Sequence, residues 1–131
     1  AAGLQVHVVI TGELEIEEVQ RWYQRLTIYA FTSRNEGFGL TLIEAMSSGA
    51  ALVAARAGAA EFVVEDGVTG FIVTSEDQAV SAVERASSLD RSAIRRAFER
   101  RFTSKVMARN YLALYWSLAH GGDLNLKVAA G

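Results

Sequence analysis

The chain has 131 residues, half of them apolar and 21% charged, with a formal net charge of −2, no cysteine and no proline. That size fits one domain able to bury roughly two-thirds of its unfolded surface. No apolar run reaches the ~18 residues of a membrane span. Residues 1–7 lack the basic-then-apolar pattern of a secretory signal, and the missing cysteines exclude disulfides, thiolate nucleophiles and cysteine-ligated zinc.

Val6, Val8, Val9 and Ile10 form a β-branched run stopped by Thr11-Gly12, which predicts a buried strand. Glu13 to Arg25 carries acidic residues early and arginines late, the order that a helix macrodipole favours. Leu26 to Phe31 reads as a second strand, followed by a polar, Gly-rich turn from Thr32 to Gly39. Leu40 to Ser48 reads as a helix with almost no polar face, ended by Gly49. Ala51 to Ala55 is a third, short apolar strand. Gly58 to Glu65 is a short helical segment, Asp66-Gly67 a turn, and Phe71 to Val73 a fourth strand, with Gly67 and Gly70 read as turn residues. Ser75 is placed to cap a helix over Glu76–Ser87; further helices are predicted over Arg91–Arg101 and Ser104–Ala119. Residues 1–120 thus form one domain and 121–131 a tail.

Strands alternating with helices imply an α/β, Rossmann-like parallel sheet with helices on both faces. Ligands of such sheets bind beyond the carboxyl ends of the strands, and the Thr32–Gly39 loop is the richest candidate. Charge is uneven along the chain. Residues 1–84 hold four arginines against twelve acidic residues, a balance of −8, whereas residues 85–109 balance to +6. The basic members are Arg85, Arg91, Arg95, Arg96, Arg100, Arg101, Lys105 and Arg109. A solvated helical face accounts for them, with weak contact to anionic lipid headgroups as the alternative. No aromatic residues alternate with these charges as single-stranded nucleic acid would require.

The loop and the helix after it read Ser33-Arg34-Asn35-Glu36-Gly37-Phe38-Gly39-Leu40-Thr41-Leu42-Ile43-Glu44-Ala45-Met46. Gly37 and Gly39 flank a helix start, where unpaired N–H groups and the dipole favour an anion such as a phosphate. Glu44 stands among apolar neighbours, so its carboxylate is costly unless it is hydrogen-bonded or reaches a wet cleft. An ionised carboxylate only accepts hydrogen bonds, and two adjacent sugar hydroxyls suit it. Glu36 could accept from a second polyol at the mouth of the loop. By spacing alone, Glu36 is equally readable as a solvated loop residue and Glu44 as a solvent-facing helix residue.

The string Glu36-Gly37-Phe38-Gly39-Leu40, with Glu44 completing a Glu-x7-Glu spacing, resembles the signature of retaining GT-B glycosyltransferases of the group-1 family. The resemblance continues through Ala45-Met46, Ser48-Gly49, Leu52-Val53-Ala54, Gly58, Glu61 and Glu65 to Val73, and covers residues 6–116. Arg34 to Thr41 looks most like mannosyltransferases of lipopolysaccharide-core synthesis. The resemblance implies that Glu44 binds the donor's ribose hydroxyls and that Glu36, the catalytic candidate, lies against the transferred sugar. It implies that Gly37, Phe38, Gly39, Leu40 and Thr41 approach the diphosphate. The donor would be GDP-mannose or a UDP-sugar, with no cofactor and no metal; His7 and His120 are read as structural or exposed.

In that family the donor domain begins with a further strand and helix carrying an Arg and a Lys for the diphosphate, and a second domain binds the acceptor. By resemblance this sequence is an incomplete GT-B donor domain, expected to be inactive alone and to bind its donor weakly. Tyr111, Leu114, Tyr115 and Leu118 would join the halves, self-associate, or pack on the chain's own sheet. Thr32, Ala51 and Ala60 replace family prolines, so looser loops are expected. Glu61 is assigned to a helix start. The implied setting is cytoplasmic, with a peripheral contact at the inner membrane face through residues 85–109. The alternatives are a nucleotide-sugar-binding subunit without activity of its own and a structural α/β interaction module.

Overall fold

The computed structural model describes residues 8–33 and 37–121. The elements in chain order are α1 (Ile16–Arg25), β1 (Ile28–Phe31), α2 (Leu40–Ser47), β2 (Ala51–Ala55), α3 (Ala60–Val63), β3 (Gly70–Val73), α4 (Glu76–Ala86), α5 (Arg91–Arg101) and α6 (Ser104–Ala119). The strands form one parallel sheet in the order β1-β2-β3, with Ile28 opposite Ala51 and Leu52 opposite Gly70.

β2 is an uninterrupted apolar run, and Ala51 to Ala54 are all buried. A strand with four consecutive buried residues has both faces covered, as parallel sheets require. α2 lies against the sheet through Leu42, Ala45 and Met46, and α4 packs on β2 and β3 through Ala82 and Ala86. α5 packs on α2 through Ile94 and Ala97. Burying a large apolar side chain stabilises by about 1.5–3 kcal/mol. Leu42, Met46, Leu52 and Ile94, each fully buried, therefore anchor the core around α2 and β2.

Gly70 differs from its expected role. It opens β3 rather than making a turn, and a Cβ there would run into the Leu52 carbonyl. The turn itself is held by Thr69, whose buried Oγ1 accepts from the Glu65 N–H at 2.8 Å. Two of the three positions expected to loosen without proline, Ala51 and Ala60, use the donors they gain. Ala51 N–H donates to Thr27 O at 3.0 Å, and Ala60 N–H to Ala57 O at 3.1 Å.

The strand expected over Val6–Ile10 is absent where it can be seen. Val8, Val9 and Ile10 carry no ladder and are exposed, while Val6 and His7 lie outside the described residues. A β-branched run becomes a strand only when a neighbour accepts its hydrogen bonds, and β1 pairs with β2 alone among the described residues. The first helix begins at Ile16 rather than Glu13, and none of its residues is fully buried.

Candidate functional site

The β1–α2 connection sits at the carboxyl end of the sheet, where ligands of open α/β folds bind. Gly39 is the N-cap of α2, at φ +73°, and it offers no side chain to cap the helix. A Cβ at Gly39 would stand 3.3 Å from both the Ala59 Cβ and the Leu42 Cδ1, so backbone conformation and packing both ask for glycine. The amides of Leu40 and Thr41 begin the helix and have no acceptor within it, because the first intrahelical bonds run from Leu42 and Ile43 to the Gly39 carbonyl. Gly37 is less constrained: a Cβ there would meet open space.

Thr41 adds an unsatisfied hydrogen-bonding group at the same place. Its Oγ1 is, among the described residues, the buried side-chain polar atom with no hydrogen-bond partner. An unmet buried hydroxyl costs free energy that a bound acceptor would recover. It stands in the first turn of α2, beside the free amides.

Glu44 lies one turn further along. Although Leu42, Ala45 and Met46 around it are fully buried, Glu44 itself is exposed, so its carboxylate reaches solvent from an otherwise packed helix. The C-terminal end of α2 is firmly held. Gly49 N–H donates to Met46 O at 2.9 Å and Ala50 N–H to Ala45 O at 3.1 Å, the paired bonds of a Schellman ending. Phe38 and Leu40 are exposed beside the helix start. Glu36, with Arg34 and Asn35, lies outside the described residues.

Other singled-out residues take structural places. Glu61 sits in the first turn of α3 and ion-pairs with Arg56. The His120 ring stacks on Trp116 with centroids 4.0 Å apart. Several basic residues of the 85–109 segment reach backbone carbonyls of other elements. Arg91 donates to Leu26 O at 2.7 Å and Ser48 O at 3.1 Å, and Arg95 donates to Ser47 O. Arg101 donates to Val63 O at 3.0 Å and to Phe62 O, and pairs with Glu65 at 2.9 Å. These guanidiniums meet the carbonyls ending α1, α2 and α3, where the macrodipoles are negative. Sequence reasoning missed this role, because charge counts do not reveal what a guanidinium reaches across a helix packing.

The parallel sheet with its flanking helices defines a Rossmann-like α/β domain. Residues 1–89 match the family described as Glycosyl transferases group 1, and the chain belongs to that family. It is 47% identical over 77 residues to the lipopolysaccharide core biosynthesis mannosyltransferase LpcC of Rhizobium leguminosarum bv. viciae, covering 59% of this chain and 21% of that protein. It is 34% identical over 91 residues to the mannosyltransferase LpsB of the same process in Rhizobium meliloti, covering 68% of this chain and 25% of that protein. The chain therefore spans about a fifth to a quarter of these relatives' length. Among solved structures, Anabaena Alr3699/HepE in complex with UDP matches with a TM-score of 0.60 and 25% identity, over 74% of this chain and 29% of that one. The UDP-glucose complex of the same protein matches with a TM-score of 0.59.

Proposed function

We propose that residues 1–120 form the donor-binding domain of a retaining glycosyltransferase that moves a hexose from a nucleotide sugar to a glycan or lipid-linked acceptor. The reading rests most on one observation: the free N-terminus of α2, with the unpartnered Thr41 hydroxyl, lies one turn from the exposed Glu44 carboxylate. That spacing suits a diphosphate at the helix start and a ribose beside Glu44. The names of the rhizobial relatives favour mannose as the sugar. The complexes of the Anabaena protein favour a nucleoside diphosphate as the carrier.

In this reading the amides of Leu40 and Thr41 and the Thr41 hydroxyl receive the diphosphate, with Gly37, Phe38 and Gly39 forming the loop's approach. A helix N-terminus stabilises an anion by about 0.3–1 kcal/mol when exposed and up to ~2 when partly buried. The same groups then stabilise the departing diphosphate as the glycosidic bond breaks, which makes the contribution electrostatic and positional. Glu44 accepts hydrogen bonds from the ribose hydroxyls. Glu36 is assigned to the transferred sugar by its place in the Glu-x7-Glu pattern. Retention follows if the acceptor attacks from the face that the nucleotide leaves.

Titrating the chain with UDP, GDP and ADP while following backbone amide NMR shifts tests the assignment. Shifts centred on Gly37–Glu44 are expected, strongest for the base of the natural donor. Shifts centred elsewhere, or none at millimolar nucleotide, would overturn it.

A further inference from the structure

A diphosphate brings negative charge to the start of α2, where the helix itself offers amides and a hydroxyl but no cation. The arginines of α5 do not serve that end. Arg91 and Arg95 hold Ser48 O and Ser47 O at the C-terminal end of α2, and Arg101 holds Val63 O at the end of α3. Between Arg34 and Arg85 the sequence has one basic residue, Arg56.

Arg56 stands at the carboxyl end of the sheet. It directly follows β2, and its N–H donates to Val73 O at 2.9 Å, which fixes its backbone there. Phe31 lies opposite Ala54, so the connections after β1 and β2 leave neighbouring parallel strands on the same side. The two connections also meet: a Cβ at Gly39 would stand 3.3 Å from the Cβ of Ala59, three residues after Arg56. The Arg56 guanidinium pairs with Glu61 in the first turn of α3. Those side chains are 60% and 51% exposed, and an ion pair so open contributes little to stability. Exchanging its carboxylate for a phosphate therefore costs little, and the planar guanidinium suits two phosphate oxygens at once.

We propose that Arg56 is a diphosphate-binding residue of the donor site, held by Glu61 until its guanidinium turns to the phosphate oxygens at the start of α2. Glu61 is then a competitor of the donor rather than a contact to it. The inference rests on the donor-site reading above and adds to it a cation from a separate connection.

Competition predicts effects of opposite sign for the two partners, whereas a purely structural pair predicts that losing either one loosens the loop alike. UDP and GDP are titrated calorimetrically at low salt into wild type, Arg56→Gln, Glu61→Gln and the double variant, with amide spectra reporting the fold. Arg56→Gln is expected to weaken binding about tenfold, the value of a charge-assisted hydrogen bond. Glu61→Gln is expected to strengthen it about twofold to fivefold by releasing the guanidinium, and that gain should shrink when Arg56 is also replaced. Unchanged affinity in Arg56→Gln, unchanged or weaker binding by Glu61→Gln, or a gain that persists in full in the double variant would overturn the role of Arg56 alone. No binding of either nucleotide by the wild type, or amide shifts centred away from Gly37–Glu44, would instead overturn the donor-site reading and this inference with it.

Discussion

Gly39 is the residue on which the geometry of the candidate site turns. Its left-handed backbone swings the chain from the loop into α2 and leaves the first amides facing outwards. Gly39→Ala would place a non-glycine residue in that region, at a cost of about 1–2 kcal/mol from the backbone alone. It would also press a methyl within 3.3 Å of Ala59 and Leu42. A lowered urea midpoint with unchanged slope is expected, and equal stability would show that the helix start can relax. Gly39 and Glu44 stood out in the sequence as a glycine before a helix and a carboxylate among apolar neighbours, whereas Thr41 was singled out only through the family resemblance. The sequence offered no comparable signal for the arginines of α5, whose reach to carbonyls of other elements depends on how the helices pack.

At the scale of elements, α5 braces the elements it packs on. Its arginines occupy carbonyls at the ends of α1, α2 and α3, so they couple the position of the candidate site's helix to the rest of the fold. Arg101 is the most enclosed, with its side chain only 18% exposed. Arg101→Met should lower stability by about 2 kcal/mol, the scale of charge-assisted bonds lost from a partly buried group. Lys105→Ala, on the exposed start of α6, should stay within about 0.5 kcal/mol. Urea unfolding of both variants measures the difference, and similar values would mean that the carbonyl contacts contribute nothing. The sequence reading placed α2, β2, α5 and α6 closely because apolar runs, glycines and caps mark their ends. Ser75 caps α4 as expected, and Asp90 and Thr103, which the sequence reading did not single out, cap α5 and α6. The run ending at Ile10 failed as a strand for the opposite reason: strand formation depends on a neighbour, which a local pattern cannot supply.

Across the whole molecule, the buried core lies between α2, α4, α5 and the sheet, while both flanking helices remain largely uncovered. α6 has no fully buried residue, and Tyr111, Tyr115 and Leu118 of its stripe are each more than half exposed. The stripe therefore does not pack on the chain's own sheet, one of the places the sequence left open for it. Periodicity showed that α6 has an apolar side; only the arrangement of α5 shows that this side stays uncovered. The parallel sheet and its crossing helices were legible from the alternation of elements, and the site's position at the carboxyl end followed from that topology.

The central claim is that Glu44 and the start of α2 bind a nucleoside diphosphate together. Calorimetric titration of the chain with UDP and GDP, beside Glu44→Gln, tests it most directly. The account predicts measurable affinity for at least one nucleotide and a loss of about tenfold or more in the variant, as expected when charge-assisted hydrogen bonds to ribose are removed. Equal affinity in the two proteins would contradict it, because the carboxylate would then take no part in binding.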